Sequence, residues 1–158
     1  MKKTLKKIII TGVAGRIGAI LRNGLEKKYS LSLLDKKKLN FKNAVKVDIA
    51  KNYNKLIKIF KNHQIVIHLA WDNNEDFPNE VIIPENKRMA ENIYWAAVKS
   101  GVERVIIASS VHVDDYSNWD KSKLISPQKI PRPDSPYGAT KVYIEALGKY
   151  FAKKYGLE

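Results

Sequence analysis

Three glycines spaced three residues apart, directly after a short apolar run, constrain this chain more than any other feature. Ile8-Ile9-Ile10 leads into Thr11-Gly12-Val13-Ala14-Gly15-Arg16-Ile17-Gly18. The β-branched run reads as a buried strand. From Arg16 to Lys28, Ile17, Ile20, Leu21 and Leu25 recur at helical spacing and predict an amphipathic helix with those four residues on its inner face. The glycines therefore fall in the strand-to-helix turn. Gly12 permits the tight turn, Gly15 lets backbone approach a pyrophosphate, and Gly18 lets the helix pack closely on the strand. The helix N-terminus then turns free N–H groups and positive potential toward phosphate. The spacing is T-G-x-x-G-x-x-G, one residue wider at the start than the G-x-G-x-x-G dinucleotide fingerprint. The physics is the same.

The rest of the chain continues the alternation. Strands are predicted over Leu31–Leu34, Ala44–Val47, Ile65–Leu69 and Val105–Ala108, and helices over Tyr53–Lys61, Glu85–Ser100 and Tyr137–Tyr155. Residues 111–136 hold Pro127, Pro131, Pro133 and Pro136 and read as a long surface loop. Apolar strands alternating with helices predict an α/β fold, a Rossmann-type doubly wound parallel sheet of about five strands in one domain over residues 1–158. The second strand stops at Asp35, where a carboxylate can accept hydrogen bonds from adenosine ribose hydroxyls and repel a 2′-phosphate. That favours NAD. Lys36, Lys37 and Lys38 pull toward NADP, but they can turn to solvent, whereas Asp35 acts at contact range. Asp48 ends the third strand and reads equally as an adenine contact or as a strand-end cap.

A second group of residues carries chemistry. Tyr137 and Lys141 form a Tyr-x-x-x-Lys pair, and i, i+4 residues share a helix face. An ammonium beside a phenol favours the phenolate, which suits proton exchange with an alcohol during hydride transfer. Tyr150 and Lys154 have the same spacing. Thirteen residues further along one helix, they are turned roughly 220° away from the first pair, so both pairs cannot face one cleft. Tyr137 is favoured because it opens the helix after Ser135-Pro136. Ser109-Ser110 closes the fifth strand at the carboxyl edge where ligands bind in open α/β sheets, and Ser110 can hold a substrate oxygen toward Tyr137.

In this order, Thr11-Gly12-x-x-Gly15-x-x-Gly18, Asp35, Asp48, Ile67-His68-Leu69-Ala70, Asn86, Ser109-Ser110 and Pro136-Tyr137-Gly138-x-x-Lys141 resemble the extended short-chain dehydrogenase/reductases. That family includes NAD-dependent sugar epimerases and dehydratases. The resemblance covers essentially the whole chain. It implies an NAD-dependent oxidoreductase acting on a sugar or nucleotide-sugar, with Ser110, Tyr137 and Lys141 catalytic. It places Gly12, Gly15, Arg16, Ile17, Gly18, Asp35, Asp48, Ile49, Leu69, Ala70, Asn86, Tyr137 and Lys141 at the cofactor, and Ser110, His112 and Trp71 at the substrate. His68 is expected to pack beside the cofactor, and no histidine cluster suggests a metal. Within the family, Gly15-Arg16-Ile17-Gly18, His112 and Arg132-Pro133-Asp134-Ser135-x-Tyr137-Gly138 most resemble the uronate dehydrogenases. Val111 and Trp71-Asp72-Asn73 depart from their pattern. The family's substrate-binding portion normally follows the last helix, so the resemblance implies a fragment or natural half that turns over no sugar alone. The fifth strand is then expected to leave a bare edge, a route to a homodimer.

Composition narrows the alternatives. The absence of cysteine excludes disulfides and fits a reducing cytoplasm. Lysines interrupt any export signal, and the apolar runs are too short to cross a bilayer. The net charge of +13 could mark a nucleic-acid binder. Its lysines are scattered rather than gathered into one stripe, which reads as a solvated surface and no nucleic-acid partner. A regulatory nucleotide-binding fragment would keep the glycine turn and could lose Ser110, Tyr137 and Lys141, all of which are present.

Overall fold

The computed structural model describes residues 5–72, 79–114, 126 and 128–158. Met1–Thr4, Asn73 and most of the proline-containing loop lie outside the described residues. Five parallel strands form one sheet: β1 (Lys7–Thr11), β2 (Ser30–Asp35), β3 (Ala44–Lys46), β4 (Ile65–His68) and β5 (Arg104–Ile107), in the order β3-β2-β1-β4-β5. Four helices connect and cover them: α1 (Arg16–Leu25), α2 (Tyr53–Phe60), α3 (Asn79–Ser100) and α4 (Pro136–Tyr155). The architecture is Rossmann-like, as the alternation of elements requires. Chain direction across the sheet reverses between β1 and β4, and in such folds that reversal opens a crevice at the strands' carboxyl ends.

Strand periodicity divides the core. Ile8 and Ile10 face one side with Leu31, Leu33 and Ile67, against Leu21 and Leu25 of α1. Ile9, Leu34 and Val66 face the other, against Leu56 and Phe60 of α2, Ile93 of α3 and Phe151 of α4. Both faces are covered, so these strands read as near-continuous apolar runs rather than alternating ones.

Three details differ from the sequence reading. In α1, Ile17 and Ile20 are 59% and 69% exposed, while Leu21 and Leu25 pack inward. Gly18, the buried residue of this helix, sets the rotation: a Cβ there would lie 2.5 Å from the Gly12 carbonyl oxygen. Helix α3 starts at Asn79 and runs through Pro84, although a proline normally marks a boundary. So near the N-terminus, the missing N–H costs one intrahelical bond, and Ile82 is buried in the extra turn. Finally, the outer edge of β5 is partly paired. After α4 closes at left-handed Gly156 (φ 66°), the Glu158 N–H donates to the Glu103 carbonyl (3.0 Å), and the Val105 N–H donates to the Glu158 carbonyl (2.8 Å).

Candidate active site

Thr11 fixes the floor of the crevice. Its Oγ1 accepts the N–H groups of Leu69 (3.2 Å) and Ala70 (3.3 Å) and lies 2.8 Å from His68 Nδ1. A hydroxyl has one proton and two lone pairs, so that proton goes to Nδ1 and the imidazole carries its own on Nε2. Burial, helped by the Lys141 charge, lowers the His68 pKa to about 3, so the ring is neutral. Joining the ends of β1 and β4 leaves little room above Thr11. Gly12 has φ +71°, and a Cβ there would sit 2.7 Å from the Ala70 nitrogen. Gly15 caps α1 with extended backbone and no side-chain hydrogen bond, and the first turn has no acidic residue. The free N–H groups at this helix end suit an anion.

A cleft of about 530 Å³ opens over this turn. Gly12, Gly15, Asp35, Asp48, Ile49, Leu69, Ala70 and Trp71 line it. Asp35 is buried, and its two carboxylate oxygens accept the N–H groups of Ala14 (2.8 Å) and Lys37 (2.9 Å). It therefore anchors the glycine turn as well as facing the cleft. Asp48 makes a local turn through the Ala50 N–H (3.0 Å) and lies 3.7 Å from Lys51 Nζ. Lys36 is exposed and sits 3.7 Å from Asp72 on the opposite lip. Arg16 and Ile17 are exposed outside the lining residues. Asn86 is fully buried; its amide accepts the Asp72 N–H (3.0 Å) and donates to the Asp72 carbonyl (2.8 Å). This asparagine holds the loop behind the cleft instead of lining it.

The second half of the site is built by α4 meeting a single 3₁₀ turn, Val111–Val113. Ser135 caps α4 by accepting the Gly138 N–H (3.0 Å), and Pro136 occupies the first helical turn, where its missing N–H costs nothing. Gly138 is obligatory: a Cβ there would lie 2.1 Å from the His112 carbonyl oxygen. That approach sets the Tyr137 ring edge-on to His112, with centroids 5.9 Å apart. His112 Nδ1 is 3.0 Å from Asp134, whose side chain is only 5% exposed. Ser110 begins the same turn, its Oγ accepting the His112 N–H (3.3 Å).

Lys141 lies one turn below Tyr137 and is buried. Its ammonium donates to the Ala108 carbonyl at the end of β5 (2.8 Å). It stands 4.2 Å from the Trp71 ring centroid and 5.7 Å from that of Tyr137. Burial lowers its pKa to about 8. The Tyr150–Lys154 pair is on the exposed side of α4, with Lys154 Nζ donating to the Tyr150 hydroxyl (3.0 Å). Asp134, Thr140 and the anchoring role of Thr11 escaped sequence reasoning. Short polar residues near turns carry no periodic signal, and their partners are distant in sequence.

Family comparison fits this geometry. The model of the NAD dependent epimerase/dehydratase family matches residues 8–158. The chain belongs to that family. It is 30% identical to an L-arabinose 1-dehydrogenase (NAD(P)(+)) of Haloferax volcanii, over 98% of this chain and 64% of the relative. It is also 30% identical to a uronate dehydrogenase of Pseudomonas syringae pv. tomato, over 96% of this chain and 56% of the relative. Among solved structures, the uronate dehydrogenase from Agrobacterium tumefaciens superposes with a TM-score of 0.86 at 29% identity, over 96% of this chain and 57% of that one. This member of the epimerase/dehydratase family thus spans between about half and two thirds of these relatives' length. Among the described residues, no helix is long and apolar enough to cross a membrane, and no group of three His, Cys, Asp or Glu side chains could hold a metal.

Proposed function

We propose that this chain binds NAD and carries the catalytic residues of a sugar dehydrogenase. The supporting observation is that the glycine turn at the α1 N-terminus with Asp35, and the Ser110, Tyr137 and Lys141 group, occupy the carboxyl edge of one sheet, with the Trp71 segment between them. A dinucleotide fits the donor set. Its pyrophosphate would meet the α1 N–H groups in the cleft that Gly12 and Gly15 line. Asp35, which keeps lone pairs beyond its two backbone bonds, would hold the adenosine ribose. Bound NAD supplies the hydride acceptor. Ser110 Oγ holds the reacting oxygen, Tyr137 Oη takes the proton of the carbinol, and Lys141 places positive charge behind that proton transfer. His112, held by Asp134 and edge-on to Tyr137, can offer a hydrogen bond to a polar group on the sugar.

The substrate is read as a free sugar or uronate, because the curated relatives named above are arabinose and uronate dehydrogenases. Nucleotide-sugar epimerase is the other reading; the UDP-glucose 4-epimerase of Thermotoga maritima superposes with a TM-score of 0.81 at 25% identity. The deciding experiment assays the protein as encoded for NADH formation with arabinose, galacturonate and glucuronate, and for 4-epimerisation of UDP-glucose. Net NADH with a free sugar supports the dehydrogenase. Epimerisation without net NADH replaces it with the second reading. Absence of NAD binding overturns both.

A further inference from the structure

Trp71 stands between the cleft and Lys141, and its surroundings give it a definite task. The indole lines the cleft while its face covers the Lys141 ammonium at 4.2 Å. Its Nε1–H donates to Thr140 Oγ1 (3.2 Å), and that hydroxyl in turn donates to the Tyr137 carbonyl (2.7 Å). The edge of the ring is met by His68, with centroids 5.9 Å apart. The loop behind it is clamped by Asn86. A short chain of contacts therefore runs from β4 through the indole to the first turns of α4.

We propose that Trp71 is a positioning residue that holds the Lys141 ammonium in place beside Tyr137, rather than a reader of the sugar. The inference rests on the reading of Lys141 as part of the catalytic group. Lys141 is 3% exposed, and its hydrogen bond to the Ala108 carbonyl serves one of three ammonium protons. In so dry a setting an aromatic face is among the few ways to stabilise the remaining charge, and a desolvated cation–π contact is strong. Among the described residues, the other groups near the ammonium supply no such help. His68 from β4 is neutral and its pKa is itself pushed down by Lys141, Tyr137 from α4 is 5.7 Å from the ammonium by its ring centre, and Glu145 further along α4 is bonded to Ser109. Asp72, beside Trp71, lies toward Lys36. Burial sets Lys141's lowered pKa, and no carboxylate among the described residues offsets it.

The test follows the Lys141 side chain directly by NMR titration of lysine-labelled protein, its signal assigned by its loss in Lys141→Met. Trp71→Leu keeps the pocket apolar but removes the aromatic face, so Lys141 should titrate about one pH unit lower than in the unsubstituted protein. Trp71→Phe loses the hydrogen bond to Thr140 but keeps an aromatic face, and should restore most of that difference. Thr140→Val leaves the indole present but untied, and should give a smaller shift in the same direction; it keeps the question open to refutation if Trp71→Leu does not fold. Titrations unchanged in Trp71→Leu and Thr140→Val, or equal shifts in the Leu and Phe variants, would overturn the proposal. Turnover of Lys141→Met, measured beside them, reports separately on the catalytic reading: full activity there removes that reading while leaving the Trp71 result intact.

Discussion

Helix α4 carries two tyrosine–lysine pairs with one spacing and two fates. At its outer end, Lys154 donates to the Tyr150 hydroxyl at 3.0 Å, and that bond to the ammonium lowers the Tyr150 pKa. At its start, Lys141 turns away from its tyrosine to the Ala108 carbonyl and the Trp71 face. The pair with the better mutual hydrogen bond is the one in solvent. What distinguishes Tyr137 and Lys141 is where α4 puts them: against the end of β5, beside Ser110, with the lysine cut off from water. Spacing permits a catalytic pair at both places, and on the function proposed above burial at the carboxyl edge is what selects the first.

The sharpest way to break this contrast is to remove the two hydroxyls one at a time. Tyr137→Phe should cut NAD-dependent turnover by about a hundredfold or more, while Tyr150→Phe stays within about twofold. Steady-state kinetics on the protein as encoded check both. Next come the glycines beside each pair. Gly138→Ala would drive a Cβ into the His112 backbone, which cannot move aside, and should cost about 3 kcal/mol in denaturant unfolding. Gly148→Ala meets only the tip of Tyr94 at 2.6 Å. It should cost about 1 kcal/mol, since Tyr94 can shift by giving up its bond to the Ile144 carbonyl.

A more gradual effect, spread over several pH units, comes from the neutral imidazole under the site. The folded pKa of His68 is about 3 against an ordinary 6.5. The unfolded chain therefore binds a proton that the folded chain refuses between those values. Stability should be undiminished by this group above pH 6.5 and fall by up to about 1.4 kcal/mol per pH unit as the pH drops toward 3. Unfolding curves across that window should show the slope, and His68→Asn, whose side-chain oxygen can accept the Thr11 hydroxyl, should flatten it. The smallest effect is expected at the solvent pair: Lys154→Met should leave the melting midpoint and NAD affinity unchanged, because exposed contacts of this kind contribute little.

The sequence made β1, the glycine turn and Asp35 legible because each rests on local constraint. Apolar β-branched runs bury themselves, a tight turn needs glycine, and the end of the second strand lies next to that turn in any parallel sheet of this order. Helix α3 was less legible, since Pro84 reads as a boundary while the burial of Ile82 carries the helix past it. The inner face of α1 was misread for a similar reason. Ile17 and Ile20 are as apolar as Leu21, and only the contact of Gly18 with Gly12 sets the rotation. Helical phase shows that the two tyrosine pairs face apart, and the Ser135-Pro136 context favours Tyr137, but the environment of Lys141 is not legible in either. Trp71, Ala108 and Lys141 are far apart in the chain, and nothing in the spacing of any one of them points to the others. Asn86 shows the same limit: its position suggested a cofactor contact, and its amide is committed to the backbone of Asp72.

On the proposed function, the cofactor and the chemistry belong to the Tyr137 end of α4. NMR of lysine- and tyrosine-labelled protein, titrated with NAD, tests it most directly. The signals of Tyr137 and Lys141 should move with saturation while those of Tyr150 and Lys154 stay fixed. Movement of the Tyr150 and Lys154 signals with Tyr137 and Lys141 unmoved, or no movement at either pair at saturating NAD, would contradict it.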